Sequence, residues 1–397
     1  MIRIILSQLA CLALVSGSPV PLGSTTPQKS RSPETCPWCK DDPKILAKLG
    51  VVGHGPFVIA RTDTRTFPES FPAAQWIFLE TPHLRLASSL GPLKLTIKER
   101  KRIAPDLDRL REAFPDLPKK LKVLDPWLRL HLLALKSEDF YARFQEVLAV
   151  TDEDFPTKRD YDKPFMGDGA YLGEKDKFEI VWHTSLRTHQ MFTKSVMGGT
   201  PTDALRWHFS PEHKLLASIP AEDRDLRENK WLLPHSVHLM SHLFLCAYKH
   251  FSFDPPIWLD EGLAHVLERE VNPLSTTIDG DEGSEANRGG HQDWPKEEAL
   301  LAKSSKLPTF AAMLRWNAFH DLDTDAHRAA WSRVRFLVEE HPAKFATFVG
   351  RIKGQLDDAG YPSGKNLVDL QRSVLKELWG WTPAEFDEAW KVWALAQ

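Results

Sequence analysis

The chain has 397 residues, a formal net charge of −3, 42% hydrophobic residues and 26% charged ones. That balance belongs to a soluble globular protein able to bury a core. It excludes both the basic footprint of a nucleic-acid binder and a basic membrane-binding face. Fourteen tryptophans stand against five tyrosines, so phenolic chemistry has few candidates.

Residues 1–17 read as a secretory signal, with Arg3 as the positive start, residues 4–15 as the apolar run and Val15-Ser16-Gly17 as small residues for cleavage. The run is too short to span a bilayer, and no later segment is long and apolar enough. The expected protein is therefore secreted or periplasmic and not transmembrane. Residues 18–44 are rich in Pro, Ser, Thr and Lys and read as a tether. The tether carries "CPWC", Cys36 to Cys39. In an exported protein such a pair can be a local disulfide, a redox pair or half of a metal site. Linker composition ahead of it argues against a thioredoxin-like motif, and a structural disulfide is the expectation.

Residues 45–150 form an α/β region, either a separate unit or part of the main body. Strand-like alternation in "WIFLETPHLRLASSL" (76–90) gives way to helical periodicity over 96–150, interrupted at Pro105, Pro115, Pro118 and Pro126. Residues 151–308 read as the core of the protein. There, "KFEIVWHTS" (177–185) is a strand followed by a helix to about Met197, and "KLLASIP" (214–220) is a short strand. Pro234 then opens a histidine-rich helix, since a missing N–H costs nothing at the first helical position. A second helix starts from the proline pair of "PPIWLDEGLAHVLERE" (255–270). The acidic, Gly-rich stretch 274–293 reads as a surface insertion. Its Asp279-Gly280-Asp281 resembles the opening of a calcium loop, but the twelfth position is Gly290 and that reading is rejected. Residues 309–397 form a helical subdomain whose last helix opens with the capping box of "TPAE".

The histidine helix carries the chemistry. With His238 at zero on a helical wheel, His242 falls at about 40°, His235 at about 60° and Cys246 at about 80°. The other faces are apolar, so the stripe is buried, and each unpartnered imidazole would cost roughly 1–3 kcal/mol. A metal ion would satisfy them, and two histidines one turn apart suit tetrahedral zinc. Among sixteen histidines such a pair arises by chance. Glu261, nineteen residues after His242 within "WLDEGLAH", makes the pattern specific.

Over residues 234–270 the chain resembles the gluzincin metallopeptidases of the aminopeptidase-N kind. Their pattern is H-E-x-x-H, eighteen residues and then E in a W-L-x-E-G-x-A context. The resemblance implies zinc held by His238, His242 and Glu261. It also implies an α+β fold with a small mixed sheet, two active-site helices and a helical C-terminal subdomain. "KLLASIP" falls where the family has its substrate-binding edge strand. Three departures stand out. Leu239 occupies the position of the glutamate that takes a proton from the zinc-bound water. The only tyrosine after Glu261 is Tyr361, leaving His320 or His327 nearest the place of the family's oxyanion tyrosine. His265 stands where members often have a carboxylate that orients the first histidine, a role a neutral imidazole can fill.

Positioned acid–base catalysis contributes about 10²–10⁴ in rate, or roughly 3–5 kcal/mol of barrier. Without that base, the expected protein is a zinc-binding pseudopeptidase that holds an extended peptide or protein ligand with little or no hydrolysis. The alternative is an unconventional zinc hydrolase in which His235 replaces the base or adds a ligand, although a histidine in the helix's first turn is expected, slightly ahead of either role, simply to face solvent. A third reading is a structural protein whose site is empty. Cys246, a turn beyond His242, reads as an inert buried thiol.

Overall fold

The computed structural model describes residues 35–397 apart from 210–213, 222–223, 281–282, 287–291, 304–306 and 320–321. The signal reading, with Cys11, the tether up to residue 34, and His320 lie outside the described residues. The described chain is a mixed α+β fold. No helix in it is long and apolar enough to cross a membrane.

At its centre is a five-stranded mixed sheet of β1 (Ile77–Glu80), β2 (Leu84–Ser88), β3 (Phe178–His183), β4 (Leu205–Phe209) and β5 (Lys214–Pro220). The spatial order is β1-β2-β3-β5-β4. β2, β3 and β5 run parallel, with Leu86 opposite Ile180 and Ile180 opposite Ala217. β1 and β4 close the two sides antiparallel. Every residue of β3 and β5 is buried, as expected for central parallel strands covered on both faces. "KLLASIP" is therefore an inner strand. The edge position belongs to β4, "LRWHF", whose alternating burial leaves Trp207 exposed. A continuous apolar run marks a strand with neighbours on both sides, and the polar alternation of β4 marks the rim.

The sheet separates two cores. Phe78, Ala87, Val181 and Leu216 face an aromatic cluster with Phe67, Phe71 and Trp76, which is closed by Phe192 of helix α1 (Leu186–Met197). The long helix Pro126–Leu148, the spine helix, precedes it in the chain. Leu86, Ile180, Trp182 and Ala217 face the main core, where the spine helix and α2 (Asn229–Ala247) pack. Asp125 caps the spine helix by accepting from Leu128 N at 3.1 Å, and Pro126 occupies its first turn.

Helix α2 begins five residues before Pro234, which lies inside it rather than at its start. An internal proline leaves the carbonyl four residues earlier without its donor. That carbonyl, Lys230 O, instead accepts from Asn272 Nδ2 at 3.0 Å. A side chain from the end of the next helix, α3 (Ile257–Val271), thus replaces the missing backbone N–H.

α3 packs between α2 and α4 (Thr324–Glu340). The approach to α4 is close at Gly262, where an added Cβ would lie 2.4 Å from Val334 Cγ2 and 2.6 Å from Ala330 O. Only glycine admits that packing. Beyond α4 come α5 (Pro342–Lys353), α6 (Leu367–Trp379) and α7 (Pro383–Ala394), the last opened by the expected Thr382–Glu385 capping box. The stretch 274–293 is not simply a surface insertion. Its first part forms β6 (Thr277–Asp279), a fully buried strand paired with β7 (Ser284–Ala286).

Candidate metal centre

α2 and α3 cross in the main core and present their polar stripes to each other. One turn apart on α2, His238 and His242 bring their Nε2 atoms within 3.1 Å. Glu261, in the first turns of α3, places Oε1 3.8 Å from His242 Nε2. β6 supplies a fourth group, with Asp279 Oδ1 3.4 Å from His238 Nε2 and Oδ2 3.3 Å from His242 Nε2. Ligand atoms of all four residues lie within 4.8 Å of one another, and all four residues are buried.

This cluster can hold a metal ion. Among the described residues, no aligned donor reaches either Glu261 oxygen or Asp279 Oδ1. Buried carboxylate oxygens left in that state are costly, and a cation is the simplest remedy. Burial opposes charge on His238, but Glu268 and Asp279 outweigh it and lift its pKa to about 10. Burial likewise opposes ionisation of Asp279, yet Arg206 and His242 hold it well below the usual carboxylate range. Arg206 comes from the edge strand β4 and pairs directly with Asp279.

A second layer of carboxylates lies behind the two histidines. His242 Nδ1 is 2.8 Å from Asp260 Oδ2, and His238 Nδ1 is 3.6 Å from Glu268 Oε2. His265 does not stand alone in the place expected for the orienting group. The carboxylate facing His238 is Glu268, two turns past Glu261, and His265 Nδ1 bonds it at 2.8 Å. The other ring nitrogen of His265 is 3.0 Å from His327 Nδ1, which lies 3.2 Å from Glu261 Oε2. His327 thus stands against the carboxylate of Glu261.

His235 is buried rather than solvent-facing, because α2 starts earlier than its proline suggests. Its Nδ1 pairs with Thr277 Oγ1 at 3.1 Å, and it is outside the four-residue set. Burial, reinforced by His238, lowers its pKa to about 4. Leu239 is fully buried within the main core. Cys246 has a thiol that burial pushes well up, and it lines a cavity of about 840 Å³. That cavity also reaches His242 and Asp260 at the cluster, and Arg206, Trp207 and His208 along β4.

Sequence reasoning missed Asp279, Glu268, Asp260 and Arg206. Two had a visible signal. Glu268 is seven residues after Glu261 and so on the same helical face, and Asp260 adjoins the ligand. Asp279 lay in the acidic stretch, with nothing local to direct it inwards.

The N-terminal pair also differs from expectation. Cys36 and Cys39 are free thiols and not a disulfide. Each sulfur faces a histidine instead: Cys36 Sγ lies 3.3 Å from His131 Nε2 and Cys39 Sγ 3.1 Å from His54 Nε2. Compared with protein-family models, curated proteins and solved structures, the chain has no significant match.

Proposed function

We propose that the chain is a zinc-binding pseudopeptidase with a gluzincin-like site, which holds an extended peptide or protein segment and cleaves it little or not at all. The observation that carries this reading is a fourth buried side chain, Asp279, among the candidate ligands. Catalytic zinc sites keep three protein ligands and leave one position for water, whereas closed sites fill all four. With an ion bound, Asp279 would fill the fourth position beside His238, His242 and Glu261. Tetrahedral zinc with Zn–N near 2.05 Å would separate two imidazole nitrogens by about 3.3 Å, close to the 3.1 Å found for His238 and His242.

The missing base points the same way. Zinc supplies Lewis acidity when bound, but Leu239 accepts no proton, and Thr277 engages His235 outside the ligand set. That placement weighs against the alternative hydrolase that uses His235. A peptide ligand has its place in the cavity and along its rim. At about 840 Å³ it is of ligand-binding size, and β4 is the sheet's edge strand beside it. An edge strand offers backbone groups to which an extended segment can pair.

The test is metal analysis of the purified protein together with assays on a mixed peptide pool. Zinc should be present, and one equivalent should be lost in both His242→Ala and Glu261→Ala. Cleavage should be near background. If both variants keep full zinc, the metal reading fails. Robust chelator-sensitive cleavage that disappears in His235→Ala would replace the pseudopeptidase with a hydrolase.

A further inference from the structure

We infer that Cys36, Cys39, His54 and His131 form a second metal site, a closed Cys2His2 centre for zinc that fastens the N-terminal segment to the body of the protein. Its ligand atoms lie within 4.8 Å of one another, and Cys36, Cys39 and His131 are buried.

The two cysteines sit on a tight turn. Lys40 N donates to Cys36 O at 3.0 Å and Asp42 N to Cys39 O at 2.9 Å, with Lys40 and Asp41 in the left-handed region at φ 50° and 56°. This places both sulfurs on one side of the turn, the arrangement C-x-x-C adopts when it supplies two corners of a tetrahedron.

His54 follows fifteen residues after Cys39. Its Nδ1 donates to Phe78 O at 2.9 Å, so in the neutral ring Nε2 carries a lone pair, and that atom faces Cys39. A metal-bound histidine is held in this way, with one nitrogen fixed by a carbonyl and the other free for the ion. Asp41 Oδ1 stands 3.7 Å from the same Nε2. His131 comes from the spine helix, 95 residues after Cys36, and reaches the group through an aromatic surround that includes Phe114.

The dimensions fit. Zinc bonds of about 2.3 Å to sulfur and 2.05 Å to nitrogen place S and N about 3.6 Å apart in a tetrahedron. The two S···N separations here are 3.3 and 3.1 Å. The charge fits as well, because two thiolates and one divalent ion sum to zero, which suits a buried position. A disulfide would use both sulfurs and take from His131 Nε2 and His54 Nε2 the thiolates they now face.

Such a site is structural. It joins the turn at 36–39, the loop at 54 and the spine helix, and through Phe78 O it also reaches β1. It stands independently of the centre at His238, since it shares no residue with it.

Cobalt substitution separates the two sites. The full chain, purified under reducing conditions and stripped of metal, is loaded with Co²⁺ alone and its absorption recorded. A thiolate-to-cobalt charge-transfer band in the near ultraviolet is expected, because only this centre has sulfur ligands. The band should persist in His242→Ala and Glu261→Ala, and vanish in Cys36→Ser and in His131→Gln. Zinc content should be two equivalents in the parent and one in Cys36→Ser. Thiol titration of the native zinc-loaded chain should find Cys36 and Cys39 protected until a chelator is added. Absence of the band in the parent, or a Cys36–Cys39 disulfide in the peptide map of chain isolated without reductant, would overturn the assignment whatever the first site does.

Discussion

Four side chains meet in each of the two clusters, yet their supports are unlike. His238, His242 and Glu261 ride on two long helices pressed together in the main core, and α3 is further locked to α4 at Gly262. Cys36, Cys39 and His54 ride on a turn and a loop, with α-helical support only from His131 and from the seven-residue helix Pro43–Leu49 that follows the turn. Packing therefore pre-forms the first cluster, and the second depends on its own ligands to hold its segments. A pre-formed site can be conserved in shape without being occupied, whereas a closure of loops needs its ion.

The largest effect follows directly. Chelation should open residues 35–56, because a structural zinc contributes on the order of 10 kcal/mol to the segments it organises. Hydrogen exchange should show protection lost there, with α2 and α3 nearly unchanged. Equal loss in both regions would break the contrast. The converse experiment acts on the helix-borne site. Gly262→Ala forces α3 away from Val334 and Ala330, and overpacking of this kind costs about 1–3 kcal/mol. Urea unfolding should register that loss, and metal should leave the histidine–carboxylate site while the cobalt–thiolate band remains.

Glu268→Gln is a milder probe. It keeps the shape but weakens the group facing His238 Nδ1, and changes of this kind in the layer behind the ligands typically cost 10–100-fold in metal affinity. Competition titration should show this for one equivalent only. Asn272→Ala is smaller again. Lys230 O would lose its replacement donor at the internal proline, a loss of about 0.5–1.5 kcal/mol. Denaturant midpoints should fall by that amount, with the Cys2His2 centre unaffected.

How much of each cluster could be read in advance follows from the same difference. Helical spacing is local, so His238 and His242 announced themselves and Glu261 completed a recognisable interval. The mixed α+β character was legible from alternation at 76–90 and 177–185 and from the helical periods around them. What failed needed tertiary partners. Pro234 looks like a helix start until Asn272 supplies the donor that lets the helix pass through it. The family resemblance implied an edge role for β5, but β4 pairs outside it. Asp279 is carried inwards by a hairpin whose sequence is irregular, and "CPWC" lacks its meaning until His54 and His131 arrive from 15 and 95 residues away.

The smallest prediction tests whether the spine helix needs the N-terminal centre at all. His83, just ahead of β2, has Nδ1 2.6 Å from Glu138 Oε2 and Nε2 3.0 Å from Asp152 Oδ2, and its ring stacks on Tyr141 at 3.8 Å. Glu138 and Tyr141 belong to the spine helix, two to three turns beyond His131. Burial works against a charge on His83, but Glu138 and Asp152 more than offset it and raise its pKa. A base whose folded pKa is raised contributes fully below its unfolded value, about 6.5, and loses that contribution as pH rises through the folded value. The stability gap between the parent and His83→Gln should therefore be wider at pH 6 than at pH 9, and remain within about 1 kcal/mol, as for partly exposed ion pairs. Adding chelator should leave the gap unchanged, because the clamp and the metal hold the helix at separate points. A gap that disappears on chelation would mean that the spine helix itself is held by the Cys2His2 centre, and the contrast between a pre-formed site and a dependent one would have to be redrawn around it.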